Sequence, residues 1–124
     1  MSVKRIVTAE EKYTQLVMLE GARACDFLDF YAAHFRSNAG CENVRVLVDV
    51  RGRPAVMGLA EFRSVLDLMH KNRISTLDMH IVSDDNARPM LGDLVNVLCE
   101  ESVAKIRTFF YREKEEAEHV LAGV

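Results

Sequence analysis

The feature that most constrains this chain is an alternation of two periodicities. The apolar runs TQLVMLE from Thr14, VRVLVDV from Val44, LDMHIVS from Leu77 and KIRTFFY from Lys105 are each followed by a stretch of helical spacing. Strands that alternate with helices form a mostly parallel sheet with the helices packed on it. Another β-prone run, Val3 to Thr8, comes first, and the polar AEEKY that follows it is short enough to close a hairpin. The expected class is α/β, with a mixed, mostly parallel five-stranded sheet in the order ββαβαβαβα.

The helical stretches have readable faces. Between Ala22 and Ser37, Cys25, Leu28, Ala32 and Phe35 recur at three- and four-residue steps, and Phe27 and Tyr31 widen that face. Leu59, Phe62, Leu66 and Met69 mark a second helix, ended by Lys71, Asn72 and Arg73, with cations where the helix dipole favours them. Asp84, Asp85 and Asn86 offer capping oxygens, and Arg88-Pro89 opens a third helix with a core stripe of Leu91, Leu94, Val95 and Leu98. Glu113 to Leu121 reads as a last helix. The length of 124 residues fits one domain, and no repeat or linker interrupts residues 1–124.

Several function classes are disfavoured. The net charge is −3, and the basic residues are scattered, whereas nucleic-acid binding needs a concentrated basic face. Cys25, Cys41 and Cys99 are odd in number and lack CxxC spacing, which argues against a disulfide framework or a zinc site. Free thiols suit a reducing cytoplasm. MSVKRIVTAEEKYTQ lacks the apolar core of a signal peptide, and no apolar run reaches membrane-span length, so no stable membrane insertion is expected. No cofactor motif is present: GxGxxG and GxxxxGK[ST] are both missing.

The stretch DVRGRPAVMGLAEF, from Asp49 to Phe62, raises the question of a site. In open α/β sheets, ligands sit beyond the carboxyl ends of the strands. Asp49, Arg51, Asp84, Asp85 and Arg88 should gather at that rim. They could serve a metal-assisted hydrolase, but capping by Asp85 or Asn86 and an Asp84–Arg88 pair account for them more simply. Val56, Met57 and Met90 should form an apolar patch beside Arg51, Arg53 and Arg88, of the adaptable kind that takes a protein partner or a greasy ligand. Asp78 and His80 share one face of their strand, so Asp78 could tune His80 as a base; no nucleophile accompanies them, and a hydrogen-bonded structural histidine is the simpler reading. Phe109 and Tyr111 project to one face of the last strand and Phe110 to the other, which is compatible with a homodimer contact if that strand is an edge.

DVRG closing a central strand, and KIRTFFYREKEEAEHVLAG closing the chain, resemble the STAS superfamily and, more narrowly, the SpoIIAA-like (STAS/SEC14-type) bacterial proteins. That resemblance implies a mixed sheet with an antiparallel first strand and a role as a non-enzymatic interaction or regulatory module. It also implies a serine switch at the start of the second helix, in a turn whose G-L would be Gly58-Leu59. This chain departs there: no serine or threonine lies between Asp49 and Gly58, and the first is Ser64. The SEC14 side of the resemblance implies an alternative, a carrier of a small apolar or lipid-like ligand lined by Met57, Met69, Met79 and Met90. The expected working surface is Arg51, Val56, Met57, Asp84, Arg88 and Met90.

Overall fold

The computed structural model describes residues 3–7, 13–53, 57–84 and 88–123, with backbone alone for 3–7, 88 and 89. Among them lie β1 (Val3–Val7), β2 (Thr14–Met18), α1 (Ala24–Ser37), β3 (Asn43–Asp49), α2 (Leu59–Lys71), β4 (Thr76–Val82), α3 (Arg88–Cys99), β5 (Lys105–Tyr111) and α4 (Lys114–Ala122). The molecule is α/β. Four strands, β2 to β5, run parallel, and β1 adds to the β2 edge antiparallel, so the spatial order is β1-β2-β3-β4-β5. The AEEKY connection falls outside the described residues up to Tyr13.

The monotonic strand order has a consequence for function. Crossovers of one hand between parallel neighbours place their helices on one face. Here α1, α2 and α3 pack on that face, over Leu16, Met18, Val44, Val46, Val48, Leu77, Met79 and Ile106. The helix after β5 has no further strand to reach. It turns to the opposite face, where Ala117 and Leu121 cover Leu47 and Val82. Strand order never reverses along β2 to β5, so the sheet lacks the switch-point crevice in which doubly wound proteins bind ligands.

Two helix faces are rotated from the expected ones. In α1 the buried set is Phe27, Tyr31, His34 and Phe35, and Cys25 is exposed. The aromatic rings need the depth beneath the helix, which leaves Leu28 and Ala32 half-buried on its flank. In α3 the buried residues are Gly92, Val95 and Cys99, while Leu94 is 50 % exposed. Gly92 explains the shift: a Cβ there would stand 2.7 Å from Thr108 Oγ1 and 2.9 Å from the Phe110 ring. Only a residue without a side chain lets α3 approach β5 so closely. α2 follows its sequence pattern at Phe62, Leu66 and Met69, but Leu59 lies 41 % exposed.

Candidate functional site

Among the described residues, polar or exposed apolar side chains gather at the rim beyond β3 and β4, on the far face of the sheet, and in the groove between α2 and α3.

At the rim, Arg51 folds back on the strand it follows. Its Nε and Nη2 donate to the two Asp49 carboxylate oxygens at 3.1 and 2.9 Å, and its backbone N–H donates to Oδ1 at 3.2 Å. Partial burial pushes the Asp49 carboxyl up, but the Arg51 hydrogen bonds and charge, helped by Lys114, outweigh it and hold the group below its ordinary value. Gly52 turns the chain at φ 70° and donates its N–H to both Asp84 oxygens at 3.2 and 3.3 Å. The two strand-end segments therefore meet, as the sequence predicts, and close on each other. Asp84 binds the Gly52 amide; Asp85, Asn86 and the Arg88 side chain, and with them the Asp84–Arg88 pair, fall outside the described residues. Among the described residues no group of three His, Cys, Asp or Glu side chains converges as a metal site.

The expected apolar patch is described only in part. Met57 is half-buried against the core, Met90 is 68 % exposed, and Val56 lies outside the described residues. Met69 and Met79 are buried in the core beneath the helices, and none of the four methionines lines the groove between α2 and α3. Ser64 sits inside α2 with its hydroxyl donating to the Ala60 carbonyl at 3.2 Å, away from the free amides of the helix start. At that start, the Gly58 N–H is taken by Glu61 Oε1 at 2.8 Å.

The far face carries a charged row and an aromatic one. Register aligns Arg45, Asp78 and Arg107 across β3, β4 and β5, and Leu47, His80 and Phe109 in the next row. Arg107 holds Asp78 through two bonds, Nε–Oδ1 at 2.5 Å and Nη2–Oδ2 at 2.7 Å. Asp78 is thus committed to Arg107, and His80 turns instead to Tyr111, with Nδ1 3.0 Å from the phenol oxygen. The His80 ring stacks on Phe109 at 4.7 Å between centroids. Burial pushes the His80 imidazole below its ordinary value, Arg45 and Arg107 reinforce that, and Asp78 opposes it. The structural reading of His80 fits this geometry. The base reading lacks its acid partner.

The third region has no counterpart among the expected residues. A groove of about 740 Å³ runs between α2 and α3, lined on its apolar side by Leu59, Leu66, Leu94, Val97 and Leu98. Leu94 and Val97 are 50 % and 63 % exposed, and Met90 continues the same helix toward the rim. The groove's polar border is mostly acidic, with Asp67, Glu100 and Glu101 against Arg63 and His70. The signal in the sequence is a doubling of the apolar stripe in α3: one set at 92, 95 and 99 for the core, another at 90, 94 and 97 left over.

No family model, curated protein or solved structure matches the chain. Among the described residues no helix is long and apolar enough to cross a membrane.

Proposed function

We propose that this chain is a non-enzymatic, STAS-like interaction module of the SpoIIAA-like kind, working without the family's phosphorylatable serine. Its docking surface is the α2–α3 groove, extended at the rim by Met90. One observation carries the reading: Leu59, Leu94 and Val97 stand exposed around one groove, where a solitary protein would keep large apolar side chains scattered. The geometry suits an amphipathic helix laid in the groove, with its apolar face on Leu94 and Val97 and basic flanks against Asp67, Glu100 and Glu101. Arg51 and Asp84 support the surface from outside by fixing the strand-end loops. The exposed thiols of Cys25 and Cys41 suit a reducing compartment.

Leu94→Asp tests the reading better than a change at Met57, because Met57 packs on the core and Leu94 does not bury there. The variant should melt within a few degrees of wild type and lose the proteins that co-purify with it from its own cells. A co-purification profile unchanged by Leu94→Asp would remove the groove as the docking surface.

A further inference from the structure

The second sheet edge, β5, has outward-facing backbone groups and a sequence that complements itself. We propose that β5 pairs antiparallel with β5 of a second copy, about a two-fold axis at Thr108, joining two sheets into one. This lies beyond the groove reading and uses none of its residues.

The backbone settles which groups face out. Lys105 N–H donates to Ser75, and Ser83 N–H donates to the Tyr111 carbonyl, with Thr76 paired to Lys105 and Val82 to Tyr111. In a parallel ladder the N–H and C=O of one residue point the same way, and successive residues alternate. Lys105, Arg107, Phe109 and Tyr111 therefore bond to β4, while Ile106, Thr108 and Phe110 present theirs to the outside. Those outward groups have no backbone partner among the described residues. The strand is seven residues long and contains no proline, and its edge charges, Lys105 and Arg107, are the residues that pairing with a second copy would set opposite aromatic rings.

The side chains select the partner and the register. KIRTFFY is basic in its first half and aromatic in its second, with Thr108 at its centre. Antiparallel pairing about Thr108 sets Arg107 opposite the second copy's Phe109, and Lys105 opposite its Tyr111. It also makes Thr108–Thr108 and Ile106–Phe110 the hydrogen-bonded pairs, the residues whose backbone faces out. Arg107 and Phe109 then fall in non-hydrogen-bonded positions, where side chains come closest, about 4.5 Å between Cα atoms. A guanidinium on an aromatic face is a favourable cross-strand contact. Phe109 has one ring face on His80 and is still 39 % exposed, and Arg107 is held flat by Asp78 with its side chain 56 % exposed. Moving the axis to residue 107 would oppose Arg107 with Arg107, and moving it to 109 would keep only residues 107–111 of the strand paired, with Lys105 carried past the strand end to face Glu113. Lys105 reaches back to the Cys99 carbonyl at 2.6 Å, so its charge is already partnered at the end of α3.

Amide hydrogen exchange followed residue by residue, with sedimentation on the same samples, tests the proposal. In a monomer, Ile106, Thr108 and Phe110 exchange fast and Arg107 and Phe109 slowly. In the proposed dimer all are slow, and the first three gain at least tenfold protection as concentration rises. Phe109→Lys places a lysine opposite Arg107 of the second copy, and should give a monomer with the alternating pattern and an unchanged circular dichroism spectrum. Should Phe109→Lys fail to fold, the concentration dependence of the wild-type pattern decides by itself. A wild-type protein that stays monomeric at high concentration, with fast amides at 106, 108 and 110, overturns the proposal. So does a dimer in which those amides stay fast. Either result leaves the α2–α3 groove untouched, because Leu94→Asp reads that surface separately.

Discussion

The two faces of the sheet are built from the same strands and do opposite things. On the face under α1, α2 and α3, the inward residues are mostly aliphatic or aromatic and merge into one continuous core. On the other face, Leu47 and Val82 are sealed by α4, and the positions beside them include Gln15, Arg45, Asp78, His80 and Arg107. The first face is held by non-directional burial. The second is held by directional contacts whose value depends on register, so it fixes how the strands align. Stability and alignment are thus separated onto the two sides of one sheet.

The most severe way to test that separation is to cut into each core. Phe62 is 2 % exposed in α2, and Phe62→Ala should cost about 3–5 kcal/mol, enough to unfold a domain of ordinary stability. Leu121 is fully buried too, but belongs to a cluster of four buried residues under a nine-residue helix. Leu121→Ala should cost about 2–3 kcal/mol, the low end for such a change, because α4 can settle or detach. Urea midpoints of the two variants compare the faces directly. Equal losses would mean that α4 is as integral as the other helices.

A smaller effect is expected from the directional side. Asp78 is buried and takes both bonds from Arg107, with Arg45 aligned on its other side. Asp78→Asn keeps the shape and removes the charge, at a cost of about 1.5–3 kcal/mol, the range for hydrogen bonds to charged groups. A double-mutant cycle with Arg107→Gln isolates the pair from the rest of the row. A coupling energy near zero would show that the row does not fix alignment, and the contrast between the faces would reduce to one of polarity.

Most of the architecture is legible in the sequence because the period switches cleanly between strand and helix. β5 and α2 read directly: Lys105–Tyr111 and the Phe62, Leu66, Met69 stripe are where their patterns put them. The face of α3 is legible only in part: Val95 is buried as its stripe predicts, but Gly92, which sits against β5, carries no hydrophobic signal. Periodicity then prefers Leu94, which faces out. The Asp78–Arg107 pair joins residues 29 apart, and nothing local announces it; it appears only once register is known. The rim is half legible. The sequence brings Arg51 and Asp84 to one place, but whether acids there are free or already bonded is a matter of backbone turns such as that at Gly52. The groove is the least legible feature, because an apolar residue in a helix looks the same whether buried or exposed.

The smallest expected effect isolates a single proton on the directional face. The His80 imidazole is buried between Phe109 and Tyr111 and its basicity is lowered in the fold, first by burial and then by Arg45 and Arg107. In the unfolded chain it titrates near its ordinary value of about 6.5. The folded state therefore binds fewer protons than the unfolded one just below that pH, and stability rises with pH across the window. Above about pH 6.5 the contribution is complete; as pH falls from there to the lowered folded value it is progressively lost. His80→Phe keeps a flat ring between the two aromatics and has no proton to gain. Urea midpoints at pH 7.5 and 5.5 should show a drop for wild type that is reduced in His80→Phe. The Asp49–Arg51 pair does not confuse the result, because a carboxyl held below its ordinary value loses its contribution only at lower pH. Equal drops in the two proteins would place the pH response elsewhere, and the far face would then hold its histidine for shape alone.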